Sequence, residues 1–208
     1  MKNLFAFMFA LMCLHSTNAQ NTNDLPETGI KAAYMGSIVY PGFKLGIERP
    51  SKVIQVEKKS KTILKERYWT YNLGFYKHKT FHSNVFLLVE RQNRRQFPNG
   101  LFVEAASGLG YSRTFLDGTT YQVDENGAVS KKPLSGYNYA MLSFSSGIGY
   151  DFSKKKALPI KLYFKPSLIV QAPYNSFIYT RPTAELGIIY SPNSFWKANP
   201  SVKTKKKS

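Results

Sequence analysis

Residues 158–190 read LPIKLYFKPSLIVQAPYNSFIYTRPTAELGIIY and divide at residues 172–175 into two segments in which apolar and polar residues alternate. Successive side chains of a strand point to opposite faces, so each segment is predicted to be a strand with one apolar and one polar face. The polar faces carry Lys161, Lys165, Arg181 and Glu185. Such a hairpin suits a soluble sheet with its apolar face in a core. It suits equally a transmembrane barrel with its apolar face in lipid.

The same alternation recurs along most of the chain and predicts an all-β fold. With the two strands above, the segments at 39–48, 67–76, 81–91, 101–115 and 137–152 bring the predicted number of strands to seven. Soluble sandwich strands usually have about five or six residues, whereas transmembrane barrel strands have about ten. The length of the segments therefore favours an antiparallel, up-and-down transmembrane β-barrel.

Single-chain barrels usually have an even number of strands, so the sequence predicts eight. Residues 30–38 are our candidate for the eighth strand, turning at Pro41 and Gly42, and residues 52–58 are the alternative. Residues 49–66 are either a basic connection or the projecting ends of a hairpin. Pro41, Pro166 and Pro182 conflict with long strands because proline cannot donate to a ladder. We expect bulges there, or shorter strands.

The two termini are predicted to lie outside the barrel, which we assign to residues 30–191. Lys2, the apolar run 4–14 and the small polar residues 16–20 are typical of a Sec signal peptide, with cleavage after Ala19 or Gln20. Residues 1–20 would then be removed, together with Cys13, the only cysteine. Residues 21–29 are predicted to be a disordered leader, and 192–208 a basic, disordered C-terminal tail.

The charged faces of the predicted strands contain nearly equal numbers of acids and bases, although the whole chain has a formal net charge of +17. The predicted lumen network consists of Lys44, Glu48, Glu90, Glu104, Asp151, Lys161, Lys165, Arg181 and Glu185. An eight-stranded barrel has an interior just wide enough for side chains to fill it. Balanced charges in so narrow a lumen predict a packed, salt-bridged interior with a structural role. They disfavour a third function, that of a narrow porin-like channel.

The excess positive charge lies in the connections, and it predicts contact with anionic partners. The candidates for contact with lipopolysaccharide phosphates or acidic surface polymers are Lys58, Lys59, Lys61, Lys65, Arg91, Arg94 and Arg95. The alternative is that these side chains form a solvated rim. A nucleic-acid partner is not expected for an exported chain.

Five short motifs resemble a group of small outer-membrane β-barrel proteins of Bacteroidota-type bacteria. They are YPGFKLGI (40–47), LGFY (73–76), GLGYSRTF (108–115), GIGYDF (147–152) and KPS (165–167). The resemblance implies location in the outer membrane of a Gram-negative bacterium, and it transfers no catalytic residue. We expect a non-enzymatic barrel that contributes to envelope integrity, surface interaction or an envelope complex.

An outer-membrane enzyme acting on the acyl chains of lipid A or phospholipid is the alternative function. Such chemistry needs a base beside a hydroxyl nucleophile. His78 and His82 are the histidines that follow the predicted signal peptide, and the eligible cluster is His82 and Ser83 with Glu90 nearby. His82 and Ser83 are adjacent in a predicted strand, so their side chains point to opposite faces. No cofactor or metal motif is present. Residues 124–127 (DENG) predict the turn of a small hairpin outside the main sheet.

Overall fold

The structure is a computed structural model that describes residues 26–36, 40–58, 61–156, 158–174, 177–191 and 200–207. The predicted signal peptide, residues 21–25 of the predicted leader and Lys59 lie outside the described residues. The strands are β1 (Gly29–Gly36), β2 (Pro41–Lys58), β3 (Lys61–His78), β4 (His82–Gln96), β5 (Leu101–Leu116), β6 (Thr120–Val123), β7 (Val129–Lys132), β8 (Gly136–Asp151), β9 (Ile160–Tyr174), β10 (Phe177–Tyr190) and β11 (Ser201–Lys207). One helical turn, α1 (Ser153–Lys156), lies between β8 and β9. In the described ranges, no helix has the length and apolar character needed to cross a membrane.

Eight antiparallel strands close into a barrel in the order β1-β2-β3-β4-β5-β8-β9-β10, and β1 pairs with both β2 and β10. The predicted all-β barrel of eight strands is therefore confirmed. Its eighth strand is β1. This strand begins one residue before the candidate segment 30–38, at Gly29, and its other residues lie within that segment. Pro41 and Gly42 begin β2 instead of forming the turn, and the alternative segment 52–58 is the far part of β2.

The strands are strongly tilted relative to the barrel axis. Each strand residue has a partner directly opposite it on the next strand. Moving from partner to partner around the barrel, from Ile30 on β1 through β2, β3, β4, β5, β8 and β9, leads to Thr180 on β10. Ile30 itself pairs with Tyr190, ten residues further along the same strand. A stagger of this size in an eight-stranded barrel corresponds to a tilt of about 40° and an interior that side chains fill.

At Pro41 the strand is shorter than predicted, as one of the two expectations has it, because β2 begins at that residue. The expectation is wrong for Pro166 and Pro182, because β9 and β10 pass through both without a shift in their shared register. The ladder between β8 and β9 instead skips the position opposite Pro166, between the pairs Ser145–Ser167 and Ile148–Phe164. The register shifts fall at Pro50/Lys52 and Phe177/Tyr179.

The C-terminal residues also differ from the prediction. Ser201–Lys207 forms β11, which pairs in parallel with β2 from Lys52 to Lys58. The last residue of β2 that pairs with β1 is Glu48, so β2 projects past β1 and exposes an unpaired edge. Edges of this kind attract further strands, and β11 covers this one. Residues 49–58 and 61–66 are accordingly the projecting ends of a hairpin, the second of the two expected alternatives.

In the part of the chain that the structure describes, the outer surface carries an apolar belt without charged residues. Its exposed members include Tyr34, Phe43, Leu45, Tyr71, Leu73, Leu87, Val89, Leu109, Leu142, Phe144, Phe164, Leu168, Leu186 and Ile188. On β3 the belt lies between the outward-facing Arg67 and Lys77, ten residues apart. With a rise of about 3.4 Å per residue and a tilt of about 40°, this separation spans about 25 Å along the axis. That height equals the apolar band of a transmembrane β-barrel, about 25 Å.

The barrel has two distinct ends. The terminal end is the one where β1 begins and β10 ends, and it also carries the projecting β2–β3 hairpin. The distal end carries the β3–β4 turn and the connection between β5 and β8. That connection contains the predicted hairpin, β6–β7, in which Asp124 Oδ1 accepts hydrogen bonds from the backbone N–H groups of Asn126 and Ala128.

Candidate functional site

The lumen buries twelve charged side chains among the described residues, six acidic and six basic. The acids are Glu48, Glu66, Glu90, Glu104, Asp151 and Glu185, and the bases are Lys31, Lys44, Arg94, Lys161, Lys165 and Arg181. All nine residues of the predicted network are in this set. Lys31, Glu66 and Arg94 were missed. Equal numbers of opposite charges are what a buried network needs, because an unpaired charge in a low-dielectric interior is costly.

Arg94 is the centre of the cluster nearest the terminal end. Its Nη1 and Nη2 donate to the two carboxylate oxygens of Glu48 at 3.0 and 2.9 Å, and its Nε donates to Glu104 at 3.0 Å. The guanidinium also lies over the rings of Tyr68 and Phe102, at 4.7 and 4.6 Å from their centroids. This bidentate geometry is the strongest that an arginine and a carboxylate form, so the cluster holds β2, β4 and β5 together.

The position of Arg94 corrects its prediction as an anionic-surface residue. It is 2% exposed, whereas its neighbour Arg95 is on the outer surface. The β4 alternation explains the difference, because even-numbered residues from Asn84 to Gln96 face the lumen. Continuing the alternation from Glu90 by four residues would have placed Arg94 inside. Lys31 was missed because no register had been assigned to residues 30–38.

A second cluster occupies the middle of the lumen. Lys44 forms ion pairs with Glu185 and with Glu90, the latter at 3.7 Å, and Lys165 lies 3.6 Å from Glu90 and 3.7 Å from Glu185. Asn72 adds a hydrogen bond to Glu90 at 3.1 Å. Two lysines and two carboxylates thus alternate in space, and they join β2, β4, β9 and β10 across the barrel.

The remaining five charges are not organised in this way. Lys31 lies 3.9 Å from Glu48. Asp151 and Lys161 form an ion pair at 3.7 Å near the terminal end. Glu66 accepts a hydrogen bond from Tyr68 at 2.8 Å. Arg181 lies toward the distal end with no carboxylate within ion-pair distance among the described residues.

Apolar and aromatic side chains fill the space between and beyond the charge clusters. A distal layer consists of Met35, Tyr76, Phe86, Leu88, Met141 and Ile169. A second layer consists of Ala33, Phe102, Tyr163 and Ile189. The ring of Phe86 occupies the space that a Cβ on Gly74 would fill, and Phe102 does the same at Gly149. Inward glycines therefore make room for large rings, which is how so narrow a lumen is packed.

The residues of the enzyme alternative are not assembled into a catalytic site. The rings of His78 and His82 stack with their centroids 5.5 Å apart at the distal end. Ser83 pairs with Phe115 in the adjacent strand, and no hydrogen bond joins it to either histidine within the described part of the chain. Glu90 lies seven residues beyond Ser83 along β4, inside the central cluster. Among the described residues no group of three His, Cys, Asp or Glu side chains is arranged to hold a metal ion.

The outer surface of β2–β4 at the terminal end carries a basic collar, formed by Arg49, Lys52, Lys65, Arg67, Arg91 and Arg95. Lys65 and Arg95 are directly opposite each other on neighbouring strands, although like charges in this position destabilise a sheet. Arg91 lies over the ring of Trp69 at 5.5 Å, at the edge of the apolar belt. None of the six forms an ion pair within the described residues.

Three of the predicted surface candidates, Lys65, Arg91 and Arg95, belong to the collar. Lys58 and Lys61 are in the β2–β3 hairpin, and the positions of their side chains are not described. A cavity of about 380 Å³ opens among the collar residues. Its lining contains the collar residues Lys52, Lys65, Arg67 and Arg95, the apolar residues Ile54, Val103 and Ala105, and also Asn93, Arg94 and the two carboxylates Glu66 and Glu104.

Comparisons with known proteins find similarity in fold only. No family model matches the chain, and no curated protein does. Among solved structures, the N-terminal β-barrel domain of Pseudomonas aeruginosa OprF is 12% identical, with 79% of this chain and 96% of that chain covered and a TM-score of 0.43. The Neisserial surface protein A is 12% identical, with 79% and 94% covered and a TM-score of 0.41. The β domain of the Bordetella autotransporter BrkA is 12% identical, with 82% and 72% covered and a TM-score of 0.36.

These likenesses are too weak to carry an argument, so the class of protein is defined by the chain's own geometry. It is an eight-stranded antiparallel β-barrel with an apolar outer belt and an ion-paired lumen.

Proposed function

We propose that this protein is a non-enzymatic barrel of a Gram-negative outer membrane that contributes to envelope integrity, surface interaction or an envelope complex. The observation that carries the proposal is the inverted distribution of side chains. Apolar residues such as Leu109, which is 69% exposed, are outside, and twelve of the described charged residues are inside. A soluble barrel would put its apolar face in the core, whereas lipid requires the arrangement present here. Export by a signal peptide and the resemblance to Bacteroidota-type proteins stay predictions.

The packed lumen supports a structural role over transport. The central charge cluster bridges the barrel from β2 and β4 to β9 and β10, and aromatic rings fill the space between this cluster and the Arg94 cluster. A conducting barrel needs a continuous aqueous path, which larger barrels provide.

The basic collar supports contact with anionic head groups. Among the described residues the six collar cations have no carboxylate partner, and four of them, Lys52, Lys65, Arg67 and Arg95, line a cavity beside the apolar belt, where the phosphates of a bilayer lie. Each basic residue near an anionic surface contributes about 1 kcal/mol. We therefore propose that Lys65, Arg67 and Arg95 bind lipid phosphate groups, either of lipopolysaccharide or of phospholipid.

Fractionation of cells that express the full chain tests the location. We expect the protein in the outer-membrane fraction, with a gel mobility that changes when the sample is heated, because closed barrels resist unfolding by detergent. Recovery in the soluble periplasm alone would contradict a membrane barrel.

Neutralisation of the collar tests lipid contact. The triple variant Lys65→Gln, Arg67→Gln and Arg95→Gln should weaken binding of anionic lipid by about 3 kcal/mol, roughly two orders of magnitude, because three attractive charges are removed. Native mass spectrometry in a neutral detergent measures the retained lipid, with lipid A and phosphatidylglycerol compared against phosphatidylcholine.

The matched control for the collar variant removes three cations from the distal end, with Lys77→Gln, Lys79→Gln and Arg113→Gln. We expect this variant to retain anionic lipid as the wild type does. Equal loss from both triple variants would show that total charge, and not the collar, determines retention.

A further inference from the structure

Four cations of the basic collar form two cross-strand pairs on the outer surface. Lys65 on β3 lies directly opposite Arg95 on β4. Lys52 on β2 lies directly opposite Arg67 on β3. Side chains in this arrangement have Cβ atoms about 5 Å apart, and like charges placed there destabilise a sheet. Neither pair has a carboxylate partner among the described residues, so a bound anion would relieve the repulsion within each pair.

Strand β3 sets the separation of the two pairs. Lys65 and Arg67 are two residues apart on this strand and face the same side, so the pairs lie about 7 Å apart along the strand. The Nε of Arg67 donates to Asn93 Oδ1 at 3.1 Å, which orients the guanidinium and leaves both Nη atoms for a ligand. Both pairs line the cavity of about 380 Å³, so they face one common space.

A β-bulge at Ser51 brings Lys52 to this surface. The register between β2 and β3 shifts between Pro50 and Lys52, which leaves Ser51 without a partner on β3. Pro50 and Val53 are both buried, so the inward face of β2 changes from even to odd numbers across the bulge. Ser51 Oγ donates to the carbonyl oxygen of Arg67 at 3.1 Å. Bulges that redirect a side chain in this way are frequent beside functional sites.

The carboxylates in the lining of the cavity do not neutralise the two pairs. Glu66 and Glu104 are buried on the lumen side, where Tyr68 and Arg94 donate hydrogen bonds to them. The lining residues that face outward are the four cations, the amide of Asn93 and three apolar residues. A strongly basic surface beside apolar side chains suits an anionic head group with acyl chains attached.

We propose that this cavity binds a lipid with two phosphate groups joined by a short bridge, the chemistry of cardiolipin. Lys65 and Arg95 donate hydrogen bonds to one phosphate. Lys52 and Arg67 donate to the other. The two phosphorus atoms of cardiolipin are six bonds apart, as are the Cα atoms of residues i and i+2 in a strand, so an extended bridge also spans about 7 Å. The inference rests on the proposed lipid contact and deepens it by naming the lipid class.

Native mass spectrometry of the full chain in neutral detergent, titrated with single lipids, tests the lipid class. Cardiolipin should bind at least about tenfold tighter than phosphatidylglycerol, which has one phosphate, because two further cations take part. Lipid A also has two phosphates, but two sugar rings separate them, so it should bind less tightly than cardiolipin.

The outcomes separate this inference from the proposed function. Equal affinity for cardiolipin and phosphatidylglycerol, or tighter binding of lipid A than of cardiolipin, would overturn the two-phosphate site. If these lipids still bind better than phosphatidylcholine, contact of the collar with anionic head groups stands. If none of them exceeds phosphatidylcholine, both proposals fail.

A double variant that removes one cation pair locates the site. Lys52→Gln combined with Arg67→Gln should abolish the preference for cardiolipin. The affinity for phosphatidylglycerol should stay nearly unchanged, because Lys65 and Arg95 still accept one phosphate. Heat-modifiable gel mobility verifies that the variant folds. A preserved preference for cardiolipin would contradict the assignment.

The matched control removes two cations from the neighbouring row of the same collar, with Arg49→Gln and Arg91→Gln. Trp69 lies between these arginines, opposite both of them, so they do not form a pair. The control loses the same charge from the same end of the barrel and should keep the preference of at least about tenfold. Loss of the preference in the control as well would show that total charge, and not the spacing of the pairs, selects the lipid.

Discussion

Replacement of Arg94 by Met is expected to lower the free energy of unfolding by about 3–5 kcal/mol, the cost of removing one partner from a buried ion pair. The substitution leaves the carboxylates of Glu48 and Glu104 inside the lumen without the three hydrogen bonds that Arg94 donates. Lys31, 3.9 Å from Glu48, is too distant to replace the bidentate contact. Urea titration of the refolded barrel, followed by tryptophan fluorescence, measures the change.

The adjacent residue supplies a matched control. Arg95→Met removes the same charge and a similar volume from the same strand, but on the outer surface, so the change should stay within about 0.5 kcal/mol. Arg94→Met combined with Glu48→Gln should recover part of the loss because one uncompensated charge is removed. If Arg94→Met and Arg95→Met are equally stable, the Arg94 cluster does not stabilise the barrel.

The alternation of apolar and polar residues was sufficient to predict which side of the wall each strand residue faces. At Lys161, Lys165, Arg181 and Glu185 the predicted face agrees with the structure, because a period of two in an uninterrupted strand leaves no choice of side. The predictions failed where strand ends were placed too early. Stopping β4 at Arg91 made Arg94 look like part of a basic turn.

Pairing across the barrel was beyond the reach of the sequence. Lys44 is 141 residues from Glu185, and nothing local specifies that the two meet. That contact follows from the stagger of ten residues around the barrel, which the hydrogen-bond register sets. The sequence analysis placed all the predicted lumen bases, Arg181 included, in a single charge network. The structure shows that Arg181 lies apart from every described carboxylate, which the sequence could not predict without the register of the strands.

Replacement of Leu87 by Arg should destabilise the barrel in lipid vesicles by about 2–4 kcal/mol, the cost of an arginine at the bilayer midplane on a lipid-facing strand. Leu87 lies midway along the outward face of β4, between Leu73 and Tyr111 on the neighbouring strands, and is 59% exposed. Urea-induced unfolding in phosphatidylcholine vesicles measures the change. In water an arginine at so exposed a position would cost almost nothing, so the size of the effect reports the solvent that surrounds the belt.

Val123→Arg is the matched control for Leu87→Arg. Val123 is 67% exposed and also lies in a strand, but its hairpin is outside the barrel sheet. Its replacement should change the free energy of unfolding by less than about 0.5 kcal/mol. A large loss at Leu87 alone requires lipid around the belt, since the two sites differ in position and not in exposure. Equal tolerance of arginine at both sites would mean that water covers the apolar surface, and the outer-membrane proposal would then fail.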